Sequence, residues 1–176
     1  MKVPPTWLQT LRLDFREFAR TDADDLWRLD QDPGVMRYIN GGKPSTRVEI
    51  AARMRLLPRV YRLYPGLGTW RASRRDTGAY IGWFTLKYIP DTVEVEVGYR
   101  LARTAWGQGF ATEGARELVR YGFDDLGLER IIGVTHPDNL ASQRVLMKAG
   151  LRDEGWGEYY GTRLRLFAAQ RQGGAP

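Results

Sequence analysis

The chain has 176 residues, 43% of them hydrophobic, and a formal charge of +6, a size that fits one domain with a substantial core and leaves little room for a second. It contains no cysteine and one histidine, His136, which excludes a disulfide framework, a cysteine nucleophile and a thiolate- or histidine-built metal site, so no metal is expected. The opening MKVPPTWLQT lacks the apolar run of a signal peptide and no stretch has the length of a membrane span, so a soluble cytoplasmic protein is expected.

LQTLRLDFREF alternates as an opening strand should. TDADDLWRLDQD follows as a helix with Thr21 as N-cap and acids in its first turn, closed by Asp32-Pro33-Gly34. Residues 43–75 hold nine basic side chains and one acid, Glu49. Within them Ile50, Met54, Leu57 and Tyr61 recur at helical spacing, with Arg55, Arg59 and Arg62 on the other side. A solvated helix face accounts for this charge more simply than a patch for an acidic partner, and Pro58 is expected to interrupt or kink the helix. GTWRASRR, AYIGWFTLKYI and VEVEVGYRL then read as three successive strands in an antiparallel meander.

The order next changes to helix and strand in alternation. Ala111, Ala115, Leu118, Val119, Gly122 and Leu126 make one apolar stripe at period 3.6, and RIIGV has the unbroken apolar run of a strand covered on both faces. A second helix is expected over residues 140–149, capped by Asn139 and stopped by Gly150. LRDEGWGEYY and TRLRLFAAQ, joined at Gly161, finish as a hairpin, leaving one domain over residues 1–170 and a loose tail at 171–176. The sum is a mixed α/β fold, a central, mostly antiparallel twisted sheet of about seven strands with about four helices distributed over both faces.

The stretch RTAWGQGFATEG places Gly107 and Gly109 between a strand and a helix. Unpaired N–H groups at a helix start, unobstructed by Cβ atoms, make an anion site for which phosphate is the obvious occupant. The stretch is not a dinucleotide fingerprint, because Thr112 stands where the third glycine belongs, and no Lys-Ser/Thr pair follows for a nucleoside-triphosphate loop. A tight turn with close packing explains the two glycines equally well when they are taken alone.

HPDNLASQRVLMKAGL puts Asn139 and Ser142 at a second helix start. Together the two motifs resemble the GNAT superfamily of N-acetyltransferases, whose glycine loop follows Q/R-x-x-G-x-G/A; here it reads Trp106-Gly107-Gln108-Gly109-Phe110-Ala111, with Trp106 in place of glutamine or arginine. That tryptophan, with WGQGFATEGARELVRYGFDDLGLERI and NLASQRVLMKAGL, is similar to the branch related to RimJ and RimL, which acetylates protein N-termini. The resemblance implies a GNAT-like sheet and acetyl-coenzyme A as co-substrate. It places the diphosphate on the backbone of Gly107 to Ala111, with Trp106 and Thr112 also against the coenzyme, and the pantetheine arm beside Tyr99, Leu101, Asn139 and Ser142.

In many relatives a tyrosine seven residues after the asparagine protonates the leaving thiolate, but that position is Leu146 here. Ser142 matches the serine of the RimJ/RimL-like branch and could reach the coenzyme sulfur, although stabilising the first helical turn would explain it too. For the base, Glu94 and Glu96 share one strand face while Val93, Val95 and Val97 share the other. Glu96 matches the branch's E-x-G-Y strand and is the expected base, with an exposed polar strand face as the plain alternative. His136 is the runner-up, its titration range suiting base work.

Deprotonating an α-amine of pKa about 7.8 at pH 7 costs about 1 kcal/mol, against about 4.6 kcal/mol for a lysine near 10.4. A site without a conspicuous strong base therefore points to the α-amine of a protein or peptide. Small amines such as amino acids, polyamines or aminoglycosides remain the alternative acceptors, and a non-catalytic acyl-coenzyme A binding module the alternative class. A nucleic-acid partner is not expected without a stacking motif, and a monomer and a homodimer are both open.

Overall fold

The computed structural model describes residues 4–171. Its centre is one eight-stranded sheet in the spatial order β1-β2-β3-β4-β5-β6-β8-β7. The strands are β1 (Thr6–Gln9), β2 (Leu13–Glu17), β3 (Gly68–Arg74), β4 (Tyr80–Tyr88), β5 (Val95–Leu101), β6 (Arg130–Thr135), β7 (Arg152–Tyr159) and β8 (Thr162–Gln170), and the helices are α1 (Ala23–Leu29), α2 (Pro33–Asn40), α3 (Arg47–Leu63), α4 (Phe110–Asp124) and α5 (Leu140–Lys148). Every neighbouring pair is antiparallel except β5 with β6. None of the helices is long and apolar enough to cross a membrane.

The mixed α/β architecture is as expected, with one strand and one helix more than the sequence suggested. LQTLRLDFREF is a hairpin and not a single strand: Thr10 turns the chain, its hydroxyl accepting from the Leu13 amide at 3.0 Å. Thr21 lies within a 3-10 turn, Arg20–Asp22, ahead of α1, and Asp22 takes the N-cap position. Asp32-Pro33-Gly34 does not end a helix but begins α2, with Asp32 accepting from the Gly34 amide at 2.8 Å and Pro33 at the first helical position, where its missing N–H costs nothing. The segment carries both a stop signal and a start signal, and local spacing cannot rank them.

α3 runs unbroken through Pro58. A proline there removes one helical hydrogen bond, and burial of Ile50, Met54 and Leu57 against Trp83 and Leu26 offsets the loss. Arg55, Arg59 and Arg62 are exposed, and Tyr61 is half-buried. The expected tail falls outside the described residues except for Arg171, whose amide donates to the Glu129 carbonyl at 2.9 Å and so extends the pairing of β8 with β6.

Side chains alternate across the strands, so each strand serves two layers. Val95, Val97 and Leu101 of β5 join Phe84, Leu118 and Phe167 in the main core beneath α4 and α5. There α4 lies close to the sheet, because a Cβ on Gly114 would stand 2.4 Å from the Phe84 ring. The opposite face carries α1 and α3 over Phe18 and Trp83. Val93 does not belong to the buried valine row: it precedes β5 and is 91% exposed.

Candidate functional site

β5 and β6 share a single register pair, Glu96 with Ile132. Beyond it, residues 97–101 and 133–135 continue without pairing each other, so the sheet opens into a cleft. Both α4 and α5 begin at this open end and aim their N-termini toward it. The α4 start follows a left-handed Gly109 (φ 82°) and a left-handed Gly107 (φ 71°). The first intrahelical bond is Glu113 N–H to Gly109 C=O at 3.0 Å, and no side chain caps the helix. The amides of Phe110, Ala111 and Thr112 therefore have no helical acceptor.

The loop before α4 is held by its own side chains and by a distant one. Trp106 donates its indole N–H to the Leu101 carbonyl at 2.8 Å, and Gln108 donates its amide to the Thr104 carbonyl at 2.6 Å. Arg12 donates to the Gln108 carbonyl at 2.9 Å and to Glu113 at 2.7 Å, with its guanidinium 4.5 Å from the centre of the Phe110 ring. Thr10 and the Arg12 amide add bonds to Glu113 at 2.6 and 2.8 Å. Burial opposes ionisation of Glu113, but these donors outweigh it and hold its pKa below the usual glutamate value. An open groove of about 620 Å³ lies over this helix start, with Arg12, Gly109, Thr112, Arg116 and Lys148 among its walls.

Sequence reasoning missed Arg12, because its partner Glu113 lies 101 residues away in the chain. It also assigned Trp106, Leu101 and Phe110 to the coenzyme. Trp106 spends its one polar atom on Leu101, while the side chains of Leu101 and Phe110 are 5% and 4% exposed and belong to the core. The Leu101 and Phe110 side chains support the loop from the core, Trp106 is 48% exposed on it, and the Phe110 amide is one of the three without a helical acceptor. The main-chain amides, with Thr112 beside them, form the open surface.

Asn139 caps α5, its side-chain oxygen accepting from the Ser142 amide at 3.1 Å. Ser142 meets Tyr99 across the cleft, the phenol donating to the serine oxygen at 3.1 Å. Burial raises the Tyr99 pKa to about 12, the serine bond only partly opposing it. Leu146 is buried against the place where a Gly133 side chain would be, so it has no access to the cleft.

Glu96 points to the other face of β5. Its Oε2 accepts from the Tyr160 hydroxyl and lies 3.2 Å from the Lys87 ammonium. Lys87 also donates to the Tyr160 oxygen at 2.6 Å. Oε1 accepts no hydrogen bond among the described residues, is not among the side-chain atoms sealed without a partner, and lies 4.0 Å from where a Gly98 Cβ would be. Glu94 is engaged elsewhere, 3.5 Å from Arg130. His136 is four residues past Ile132, about 13 Å along β6 from the level of Glu96. Its Nδ1 accepts from the Asp138 amide at 3.1 Å, and its ring packs 5.3 Å from Tyr38 of α2. Farther along β5, Arg100 donates to Asp30 at 2.5 Å while Arg53 stands 3.9 Å from the same carboxylate. Among the described residues there is no cluster of three His, Asp or Glu side chains suited to a metal ion.

A parallel strand pair that parts after one pairing, with a glycine-led helix start on one strand and an Asn-capped helix on the other, is matched by the family model described as an acetyltransferase (GNAT) domain over residues 12–152. The chain belongs to the GNAT acetyltransferases. Among sequence relatives of this GNAT domain is the FsC-acetyl coenzyme A-N(2)-transacetylase of Aspergillus fumigatus, 36% identical over 159 residues, covering 86% of this chain. The chain spans only 66% of that relative's length. Among solved structures, an acetyltransferase from Agrobacterium tumefaciens aligns with a TM-score of 0.81 at 22% identity, over 97% of this chain and 96% of that one. RimL, the ribosomal L7/L12 alpha-N-protein acetyltransferase in complex with coenzyme A, aligns with a TM-score of 0.76 at 15% identity, over 96% and 98%. At these identities the structural likeness speaks to the fold.

Proposed function

We propose that this GNAT domain moves an acetyl group from acetyl-coenzyme A to a free α-amine of a protein or peptide. The observation that carries the reading is the opposed placement of two polar groups on β5 where it leaves β6: Tyr99 with Ser142 on one face and the free oxygen of Glu96 on the other. The α4 amides and left-handed glycines fit a diphosphate. A helix start alone contributes only about 0.3 to 2 kcal/mol, whereas micromolar affinity needs roughly 8 kcal/mol, so an extended ligand running from α4 into the cleft suits the geometry.

Acetyl-coenzyme A supplies an activated thioester. Glu96 Oε1 accepts the proton leaving the amine as the N–C bond forms, directly or through one water, and passes it to solvent. The C–S bond breaks toward Ser142, which donates a hydrogen bond to the sulfur. A thiol near 8.5 is a far stronger acid than a phenol near 12. Tyr99 and Ser142 therefore stabilise the departing thiolate by hydrogen bonding and do not surrender a proton to it. Asn139 holds the Ser142 backbone in place.

An α-amine suits this site because a modest carboxylate base is enough for it. The cations Lys87, Arg53 and Arg100 on the Glu96 face disfavour a polycationic acceptor. Two similar proteins bear names for related chemistry, an alpha-N-protein acetyltransferase and an N(2)-transacetylase.

Acetyl-coenzyme A turnover should be screened over N-terminal peptides, amino acids, polyamines and aminoglycosides. Free-α-amine peptides should show the highest kcat/KM; a polyamine or aminoglycoside in their place overturns the acceptor, and tight coenzyme A binding without turnover of any amine overturns the reaction. Gly109→Val forces a β-branched residue into a left-handed position, and calorimetry with coenzyme A should show affinity weakened roughly 5- to 30-fold, from a cost of about 1 to 2 kcal/mol.

A further inference from the structure

Tyr160 occupies an unusual backbone position for its side chain. It and Gly161 form the two-residue turn between β7 and β8, both with positive φ, 55° and 72°, a conformation that favours Asn-Gly over an aromatic residue. The hairpin carries the tyrosine hydroxyl across 64 residues of sequence to the Glu96 carboxylate. Lys87, the register partner of Glu96 on β4, closes a three-membered ring of contacts by reaching both groups. Among the described residues the hydrogen bond to this carboxylate, from Tyr160, falls on Oε2, and Oε1 accepts none, lying 4.0 Å from where a Gly98 Cβ would be.

We infer that Tyr160 and Lys87 are positioning residues that clamp one oxygen of Glu96 so that the other faces the acceptor amine, making the β7–β8 hairpin turn part of the catalytic apparatus. The inference rests on the reading of Glu96 as base. A glutamate side chain rotates about three bonds, and a single oriented lone pair needs two fixed donors to hold it. An ammonium and a hydroxyl, arriving from different elements, supply that restraint. Burial, with the Glu96 charge adding to it, raises the Tyr160 pKa, so the phenol stays protonated and remains a donor. A bulky residue in a left-handed turn is retained where its contact compensates the local strain.

The test uses the full chain with Tyr160→Phe, Tyr160→Asn, Lys87→Met, Lys87→Arg and Glu96→Gln. Tyr160→Asn suits the turn better, so it keeps the hairpin while removing the clamp. Calorimetry with coenzyme A should give the same Kd for all variants within about twofold. Turnover of the best peptide from the acceptor screen should fall roughly tenfold or more in Tyr160→Phe, Tyr160→Asn and Lys87→Met, with recovery in Lys87→Arg. In the Glu96→Gln background the Tyr160→Phe change should have no further effect.

A readout independent of any acceptor is carbon-13 NMR of the Glu96 carboxyl in the free protein. Around it stand Lys87 from β4, Tyr159 and Tyr160 from the hairpin, and Glu94, just ahead of β5, with Arg130 from β6. Losing either contact should shift or broaden the Glu96 carboxyl signal at pH 7, because the side chain is released from its fixed orientation. An unchanged carboxyl signal, or equal loss from Tyr160→Phe with and without Glu96, overturns the clamp while leaving the base reading intact. Full turnover in Glu96→Gln removes the base reading and the clamp's catalytic role with it.

Discussion

Beneath α4 and α5 the sheet presents Leu13, Phe15, Phe84, Val97 and Ile131, all at most 1% exposed, whereas the opposite face buries Asp22, Asp30, Glu96 and Arg100. By strand alternation Thr69 and Thr85 belong with the second group, and of the buried polar side chains only Thr135 faces the first. The contrast separates two tasks. On the proposed function the α4 and α5 face offers backbone amides to one extended ligand, and a dry, close-packed core holds those amides rigidly. On the same proposal the other face holds a carboxylate for a proton, and charges held in place by other charges suit that task. Its contacts join distant segments: Arg100 reaches Asp30 across 70 residues, and Tyr160 reaches Glu96 across 64.

If the two faces differ in this way, they should fail differently. Phe84→Ala should cost about 3 to 5 kcal/mol of unfolding free energy in urea, and the loss should be the same at pH 7 and pH 4. A strongly pH-dependent loss would mean that charge contributes to the apolar face as well.

Asp22→Asn should cost about 3 kcal/mol, because it leaves Arg16, 2.7 Å away, and Arg71, 3.3 Å away, without their carboxylate. Here pH matters. Burial raises the Asp22 pKa, but bonds from Arg16 and the Ala19 amide and the charges of Arg16 and Arg71 outweigh it, so the net shift is downward. The unfolded chain therefore binds the proton first. The stabilisation is fully present above an unfolded aspartate value of about 3.9 and is lost as pH falls through the lower native value. Urea curves between pH 6 and pH 3 should converge for the two proteins; parallel curves would sink the charge argument.

The smallest effect sharpens the comparison within the site. Ser142→Ala should lower kcat roughly 10- to 100-fold, equivalent to about 1.5 to 3 kcal/mol for a hydrogen bond to a developing charge, while coenzyme A affinity measured by calorimetry stays within a few fold. Tyr99→Phe should lose less, since Tyr99 acts through Ser142. A Ser142→Ala protein with unchanged kcat would leave Ser142 as a helix-start residue only.

Much of the first face was legible in the sequence. The apolar stripe of α4, the two glycines and the Asn139 cap are local patterns, each set by neighbours within a turn or two. The second face was legible only in fragments. Only the E-x-G-Y resemblance separated Glu96 from Glu94, which shares its strand face in the sequence and pairs with Arg130. Asp32-Pro33-Gly34 read as an end where it is a beginning. The first face had its own exception, since Thr10 to Arg12 read as strand where the chain turns back toward Glu113 of α4.

By itself the sequence determined the order of strands and helices from β3 onward, the left-handed glycine loop and the capped start of α5, because periodicity, capping and backbone freedom act over a few residues. Only the tertiary structure decided where β5 parts from β6, that Tyr99 meets Ser142, and that Lys87 and Tyr160 share one oxygen of Glu96. Those outcomes depend on strand pairing between segments far apart in the chain, and the energy that selects them exists only after the sheet has formed.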